Sequence, residues 1–371
     1  MGADVCVAGG GPAGLAAAIA LRREGFGVTV VDCAVPPIDK ACGEGLMPAG
    51  VAALRNLGVT IPAGLGRPFK GIRFSDECST ADAEFSRGPG LGIRRTELHR
   101  LLVEKAAENG VIMIWGAKQA RLAGGGISIG GQLLEARLIV GADGQNSAIR
   151  RQAGLNRIKS ERRRYAFRKH YRIAPWSDRV EVWWGARRQI YVTPLAEDEV
   201  CVALLTHDRS LRLDRALAEF PEIEKRLAKA IPTSIEMGAV TASRRLHCVH
   251  SGSVALVGDA SGSVDAITGE GLELSFKQAA AFARSLRAGD PSSYQRDHEA
   301  IGGRPRAMAA LLLSLDRYPV ARRKVVAALA RWPRMFQLLV DVHNGRLAQI
   351  QLPGGATSIH GPSTGSPCKV I

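Results

Sequence analysis

Residues 9–14 and Asp32 combine glycines and a carboxylate at a spacing suited to binding a dinucleotide. Residues 9–14 read Gly-Gly-Gly-Pro-Ala-Gly, and Asp32 follows Gly11 by 21 residues. Gly9 would permit a tight turn, Gly11 a close approach to a pyrophosphate, and Gly14 close packing of helix on strand. Asp32 would accept hydrogen bonds from ribose hydroxyls; a glycine-rich turn without nucleotide is the alternative. The predicted contacts are Gly9, Gly11, Pro12, Ala13, Gly14 and Asp32.

Further glycine and aspartate clusters follow apolar segments later in the chain. They contain Asp143 with Gly144, Asp259, and Gly269 with Gly271. A helix that begins at Gly271 would direct its N-terminal amides, which carry partial positive charge, at an anionic ligand. Aspartate also caps turns and helices, so a purely structural role for Asp143 and Asp259 is the alternative.

The apolar pattern around these clusters predicts an α/β fold. Residues 4–8 and 28–32 are short apolar runs that flank an Ala- and Leu-rich helix at 12–23, which is a βαβ unit. From about residue 162 to 249 the residues are aromatic and β-branched, which predicts a separate sheet with a helical insert. The other predicted elements are helix 96–109, strands 136–140 and 254–257, helix 271–288, and two or three amphipathic helices within 305–342.

Composition narrows the class of protein. A chain of 371 residues with 46% hydrophobic content can bury a large core. Its net charge of +15 is concentrated near residues 150–172 and 304–346, but no nucleic-acid-binding motif accompanies it, so we expect no nucleic-acid partner. Seven scattered cysteines without a CxxC pair, and no apolar run long enough to span a membrane, predict a cytoplasmic protein that is soluble or peripheral to the membrane.

Together the clusters resemble the FAD-binding signature of para-hydroxybenzoate hydroxylase-type flavoproteins, and residues 268–271, Thr-Gly-Glu-Gly, resemble the variant in geranylgeranyl reductases. The resemblance implies an α/β protein with a Rossmann-like FAD-binding domain, an interleaved β-sheet substrate domain and C-terminal helices. The expected divisions are 1–65, 93–160 and 250–300 for FAD, 66–92 and 161–249 for substrate, 301–352 for the helical region, and 353–371 for a flexible tail.

The resemblance also implies roles for individual residues. Asp259 would bind the ribitol of FAD, the helix after Gly269 and Gly271 would direct its amides at the flavin ring, and Asp143 with Gly144 would serve both FAD and NADPH or NADH. An arginine at the start of helix 96–109 would contact FAD; Arg95 is the candidate, with Arg94 as the competing assignment. Residues 40–45 are similar to a cysteine-glycine loop that reductases of this family place beside the flavin, which implicates Cys42 and Gly43.

The resemblance implies an FAD-dependent oxidoreductase in which NADPH or NADH acts as a transient reductant. Two reactions remain open: monooxygenation of an aromatic or polyketide-like hydrophobic substrate, which we favour, and reduction of a prenyl or other double bond, as in geranylgeranyl reductases. A flavin-binding interaction protein without catalysis is the alternative from another class. Cys42 and Glu44 are candidates for catalysis, with inert packing as the favoured alternative for Cys42. Trp184 and Tyr191 are candidates for substrate contact, with a position in the core of the second sheet as the favoured alternative for Trp184.

Two further features of the sequence bear on ligands and partners. His247, Cys248 and His250 have metal-ligating side chains but lie in a predicted extended segment, where alternate side chains point to opposite faces, so we expect no metal site. The basic C-terminal helices either pack on the substrate domain or make a peripheral membrane contact.

Overall fold

A computed structural model describes residues 3–118 and 120–345 of the chain. The predicted tail at 353–371 lies outside the described residues. The strands are β1 (Ala3–Ala8), β2 (Val28–Val31), β3 (Gly45–Leu46), β4 (Arg67–Phe69), β5 (Gly71–Ser75), β6 (Thr80–Glu84), β7 (Gly90–Gly92), β8 (Ile112–Ile114), β9 (Arg121–Ala123), β10 (Gly126–Ile129), β11 (Gln132–Gly141), β12 (Ile158–Arg172), β13 (Arg179–Gly185), β14 (Arg188–Ala196), β15 (Glu199–Thr206), β16 (Ile231–Pro232), β17 (Met237–Leu246), β18 (His250–Ser251) and β19 (Val254–Leu256).

The helices are α1 (Pro12–Arg23), α2 (Pro48–Asn56), α3 (Arg95–Glu108), α4 (Ala148–Gln152), α5 (Leu213–Leu217), α6 (Pro221–Leu227), α7 (Gly271–Arg287), α8 (Pro291–Arg317), α9 (Pro319–Arg331) and α10 (Pro333–His343). Short 3-10 helices form at Gly258–Ser261 and Ala266–Thr268. None of the helices within residues 3–118 and 120–345 is long and apolar enough to cross a lipid bilayer.

A mainly parallel sheet brings the separated glycine clusters to one edge. Its order is β18-β19-β11-β1-β2-β8, and β1, β11 and β19 run parallel as neighbours. Ala8 is paired with Gly141, and Gly141 with Leu256, so these strands end level with one another. The loops that follow them therefore meet at the carboxyl edge of the sheet, where doubly wound α/β folds bind ligands.

Helix α1 covers one face of this sheet and begins where the sequence predicts. Proline is favoured at the first helical position, where its missing N–H has no acceptor to lose, and Pro12 occupies it. A β-carbon at Gly14 would lie only 1.8 Å from the carbonyl oxygen of Gly9. This glycine is therefore required for the close packing of α1 against the end of β1. Helices α3 and α7 also pack against α1.

A second sheet is assembled from two separate parts of the chain. Its order is β16-β12-β15-β14-β13-β5-β6, with β17 on β12, so that the early hairpin β5-β6 joins strands formed more than 70 residues later. One face packs on α5 and α6, which replace the single helical insert predicted near residues 213–230. The other face packs towards α8, α9 and α10 and forms part of the cavity described below.

The C-terminal helices are separated by prolines. Helix α8 runs through Pro305 without a break, so it crosses the boundary predicted at residue 300. Pro319 and Pro333 occupy the first positions of α9 and α10, where proline starts a new helix and cannot continue the preceding one. Both α9 and α10 pack against β6 at the edge of the second sheet.

Candidate active site

A continuous cavity of about 910 Å³ joins the glycine clusters to the second sheet. Its polar end lies at the carboxyl edge of the first sheet, and its apolar end lies between the second sheet and helices α8 to α10. It is lined by these residues predicted from sequence: Gly9, Gly11, Pro12, Ala13, Asp32, Cys42, Gly43, Glu44, Arg95, Asp143, Gly144, Tyr191, Asp259, Gly269 and Gly271. The predicted site residues thus come together from distant parts of the chain, while Gly14 lies behind this surface.

The first glycine cluster forms an open cradle. A β-carbon on Gly11 would meet no protein atom within 4 Å, so the space in front of this residue is free for a ligand. The Asp32 carboxylate accepts hydrogen bonds from the Gly10 amide at 2.6 Å and the Ala34 amide at 2.8 Å. These bonds fix the carboxylate at the edge of the cavity, where it retains acceptor capacity for hydroxyl groups.

Two residues that sequence analysis did not single out support this cradle. His99 on α3 is fully buried and its Nε2 lies 2.8 Å from the Gly10 carbonyl oxygen, which identifies Nε2 as the protonated nitrogen. Burial lowers the pKa of His99, consistent with a neutral ring. The indole of Trp115 occupies the space that a side chain at residue 10 would require.

The structure distinguishes the two arginines at the start of α3. Arg94 is engaged by the second sheet, because its Nε and a terminal nitrogen donate to the Glu199 carboxylate at 2.8 and 2.5 Å. Arg95 lines the cavity, and its buried Nε has no hydrogen-bond partner within the described part of the chain. A buried N–H of this kind is costly unless a ligand accepts from it, which favours Arg95 as the ligand contact.

Glu44 is buried beneath the loop that contains Cys42, and it adopts a left-handed backbone conformation with φ of 57°. One carboxylate oxygen accepts from the Arg95 amide at 2.9 Å and so caps helix α3. The other lies 2.6 Å from His170 Nε2. Because Arg94 and Arg168 both direct N–H groups at His170 Nδ1, that nitrogen is the acceptor and Nε2 donates to Glu44. Through these contacts Glu44 positions both the Cys42 loop and the start of α3.

Residues of the second sheet hold the Cys42 loop against the cavity. The Thr193 hydroxyl donates to the Gly43 carbonyl at 2.8 Å, and the Cys201 thiol lies 3.7 Å from the Cys42 carbonyl. Cys42 itself is a half-buried free thiol whose sulfur accepts from the Glu44 amide at 3.4 Å. The second sheet therefore holds this loop through Thr193 and Cys201, while Cys42 and Gly43 line the cavity.

Among the described residues, metal-ligating side chains come together at Glu44, His170 and Cys201. The same histidine is contacted by the guanidinium groups of Arg94 and Arg168, which would repel a cation. Burial also raises the pKa of the Cys201 thiol, whereas a metal ligand must be a thiolate. The cluster is thus better suited to hydrogen bonding than to binding a metal.

The two later aspartates occupy different settings at the polar end. One Asp143 oxygen caps α4 by accepting from the amides of Ala148 at 2.7 Å and Ile149 at 3.1 Å, while the other is buried without a partner in the described chain. Asp259 forms an ion pair of 3.2 Å with Lys40. Both the capping role and a free acceptor are therefore present at Asp143.

The start of α7 faces the middle of the cavity. Gly269 has φ of 69°, a left-handed conformation that glycine adopts without strain, and a β-carbon on Gly271 would meet nothing within 4 Å. The first amides of α7 are therefore free of overlying side chains, and they offer a positively polarised surface to a ligand.

The two aromatic candidates for substrate contact occupy different positions at the apolar end. Tyr191 lines the cavity and donates its hydroxyl to the Ile267 carbonyl at 3.0 Å. Trp184 is instead one layer behind the wall, where its ring packs edge-on against Phe74 at 5.7 Å. Trp184 is on the same face of β13 as Val180 and Val182, which line the cavity, but its own side chain is 2% exposed and does not line the cavity, whereas Phe74 of the neighbouring strand β5 does.

This site fits FAD. The buried Nε of Arg95, the unpartnered oxygen of Asp143 and the open space before Gly11 provide a donor, an acceptor and a phosphate cradle along one elongated cavity. Bound there, FAD would supply two-electron redox chemistry at the junction of the polar and apolar ends. The fold and site thus define a flavin-dinucleotide-dependent oxidoreductase.

Comparison with known proteins identifies the family. Residues 2–289 match the family described as FAD binding domain, and the chain belongs to it. It is 28% identical over 408 residues to menaquinone reductase of Mycolicibacterium smegmatis, with 96% of this chain and 97% of that protein covered. It is 33% identical to 6-methylpretetramide 4-monooxygenase of Streptomyces rimosus, over 41% of each chain. A flavoprotein/dehydrogenase structure from Cytophaga hutchinsonii superimposes with a TM-score of 0.80 at 19% identity, over 93% of each chain.

These comparisons confirm the predicted fold class, the FAD cofactor and the assignment as an enzyme. The chain is an FAD-dependent oxidoreductase related to flavin monooxygenases, a class that NADPH or NADH typically reduces. The roles of the individual site residues and the division of the chain into domains stay predictions.

Proposed function

We propose that this protein is an NAD(P)H-dependent monooxygenase that hydroxylates the ring of a hydrophobic, quinone-like aromatic substrate. The observation that carries the proposal is the continuous cavity of about 910 Å³, whose dinucleotide end opens directly into an apolar chamber. Its apolar walls would exclude water from the reacting ring. Relatives named for monooxygenation and for menaquinone support both the reaction type and the substrate class.

In this function the residues of the chain bind and orient. Gly11 and the start of α1 would hold the pyrophosphate, Asp32 the adenosine ribose, and Asp259 the ribitol. Arg95, fixed by the bond between its amide and Glu44, would contact the cofactor from the opposite side. The amides at the start of α7 would stabilise negative charge at the flavin ring edge.

Double-bond reduction in an apolar side chain is the second candidate. It is supported by the match over 96% of the chain to a menaquinone reductase and by the Cys42 loop, which Thr193 anchors beside the cavity.

A prenylated naphthoquinol is the probe that separates these reactions, because it offers both a ring and prenyl double bonds. We expect NAD(P)H consumption with this probe to require oxygen, and labelled O₂ to place one labelled atom in the product, as mass spectrometry would measure. A product that gains two hydrogens under anaerobic conditions would instead establish reduction. The assay without probe is the control for uncoupled NAD(P)H oxidation.

We also propose that the C-terminal helices contact membrane lipid and admit the substrate. Leu311 and Leu339 line the cavity and are nevertheless 49% and 37% exposed, so the apolar chamber reaches the surface between α8 and α10. Val320, Trp332 and Leu338 add exposed apolar area nearby. The exposed basic residues around it are Arg317, Arg323, Lys324, Arg331 and Arg334. Arg322 is not among them, since it is buried and donates to the Gly185 carbonyl at 3.0 Å.

Vesicles that contain acidic lipid test this contact. We expect the protein to co-sediment with them at low salt, and the triple replacement of Lys324, Arg331 and Arg334 by glutamine to reduce binding, at about 1 kcal/mol for each residue. The matched control replaces Arg157, Lys159 and Arg162, which are exposed at the start of β12 and not on the C-terminal helices, and so removes the same charge. Equal loss of binding in both variants would show that only net charge matters and would contradict the proposal.

A further inference from the structure

A group of ionisable side chains is buried between α7, α8 and α10 beside the middle of the cavity. The Glu273 carboxylate pairs with both neighbouring cations: Lys277 forms an ion pair with it, and a terminal nitrogen of Arg304 lies 3.9 Å from one of its oxygens. Glu270, which immediately precedes α7, is 2% exposed, and neither of its carboxylate oxygens has a hydrogen-bond partner in the described chain. The Nδ1 of His343, equally without a hydrogen-bond partner there, lies 3.7 Å from one of these oxygens.

The surroundings set the protonation of both groups. Burial, followed by repulsion from Glu273, raises the pKa of Glu270 to about 8, although Arg304, Lys277 and the nearby Thr268 hydroxyl oppose the rise. Burial, followed by repulsion from Arg304, lowers the pKa of His343 to about 4, although an interaction with the Thr268 backbone opposes the fall. At neutral pH the carboxyl group therefore holds its proton and the imidazole is uncharged.

His343 stands between this buried acid and the cavity. It lines the cavity together with Gly269, Gly271 and Leu339, whereas Glu270 does not line it. A proton released by Glu270 towards the reacting centre would thus meet the imidazole first. Imidazole can accept a proton at one nitrogen while it releases the proton held at the other.

Both reactions under Proposed function need such a path. Hydroxylation converts substrate, O₂, NAD(P)H and one proton into hydroxylated product, NAD(P)⁺ and water. Reduction converts a double bond, NAD(P)H and one proton into the saturated product and NAD(P)⁺. Each turnover therefore consumes one proton inside a cavity whose walls are mainly apolar, where a positioned internal donor replaces bulk water.

We propose that Glu270 and His343 form the proton-delivery path of this active site, in which Glu270 is the donor and His343 the carrier. The O–H bond of Glu270 breaks as an N–H bond forms at His343 Nδ1, and the proton on Nε2 passes to the cavity. The resulting carboxylate takes its next proton from solvent. The inference rests on the proposed function for its turnover, but the protonated state of Glu270 can be measured without turnover.

Glu270→Gln is the decisive variant, because glutamine keeps the shape and hydrogen-bonding capacity of a neutral carboxylic acid but has no acidic proton. We expect FAD affinity to stay within about twofold and kcat to fall at least about 100-fold, the usual scale for loss of a general acid. The wild-type kcat should decline above about pH 8, as Glu270 ionises, and this decline should vanish in the variant. Glu222→Gln, exposed on α6, is the matched control and should match wild type.

Infrared spectroscopy of the oxidised holoenzyme provides the readout without substrate. We expect the C=O band of a buried carboxylic acid at pH 7, lost with a midpoint near pH 8 and absent from Glu270→Gln. His343→Phe should keep this band but lose kcat to a similar extent. An absent band, or wild-type kcat in either variant, would overturn the proton path. If wild type converts no probe, the proposed function fails, and the band alone decides the state of Glu270.

Discussion

Gly11→Ala is expected to yield a folded protein that retains almost no FAD. The backbone of Gly11 has φ of −71°, which alanine adopts freely, and its β-carbon would meet no protein atom within 4 Å. That empty space is where the pyrophosphate must approach the start of α1, so the added methyl group would displace the ligand and not the fold. We expect FAD affinity to fall at least about 100-fold, or about 3 kcal/mol, as measured by fluorescence titration of apoprotein.

Two glycine controls make this result interpretable. Gly303→Ala lies within α8, where a β-carbon also meets nothing within 4 Å, and should leave FAD affinity unchanged. Gly14→Ala should fail to fold or precipitate, because its β-carbon would lie 1.8 Å from the Gly9 carbonyl oxygen. Normal FAD affinity in Gly11→Ala would mean that the pyrophosphate does not pass this residue.

Arg164→Met is expected to destabilise the fold by about 3–5 kcal/mol, since it leaves a buried carboxylate without its cation. Arg164 and Asp265 are 1% and 2% exposed and lie 3.1 Å apart, and Arg164 also donates to Gln189 at 2.5 Å. Asp265 in turn caps the short helix before Gly269 by accepting from the Ile267 amide at 3.0 Å. The loss should appear as a lower midpoint of urea unfolding and as earlier release of flavin on heating.

The neighbouring residue provides the control for this prediction. Arg163 is 66% exposed in its ion pair with Glu161, so Arg163→Met should change the free energy of unfolding by less than about 1 kcal/mol. If Arg164→Met were as stable as Arg163→Met, the buried pair would contribute no net stability to the junction between the second sheet and the flavin site.

The cofactor end of the site could be predicted from sequence because its requirements are local. Gly9, Gly144 and Gly269 adopt positive φ angles that favour glycine, and each stands within a few residues of the strand or helix that it serves. The positions of these glycines in the sequence therefore indicate where the chain turns sharply at the ligand. In a parallel sheet the carboxyl ends of β1, β11 and β19 lie at the same edge, so the loops that follow these strands meet there.

The supporting contacts could not be predicted in this way. Glu44 and His170 are 126 residues apart in sequence, and Arg164 and Asp265 are 101 apart. Such pairs depend on how distant strands and loops pack together, for which no local sequence pattern exists. The same limitation applies to Trp184. Its residue type can be read from the sequence, but its contact with Phe74 depends on how β13 pairs with β5.

The interleaved strands also determine when during synthesis a functional protein can exist. The second sheet joins Gly71 to Arg179, and the cofactor edge needs Asp259, which leaves the ribosome 250 residues after Gly9. Pairings of this kind raise the contact order of the fold, and neither sheet can be completed by an N-terminal fragment. In a nascent chain β1 can pair with β2 early, but its other edge stays open until β11 has been synthesised, a period in which chaperones would have to shield it. The complete flavin site can then form only after Asp259 has been synthesised, and a chain truncated before β19 would expose an incomplete sheet edge.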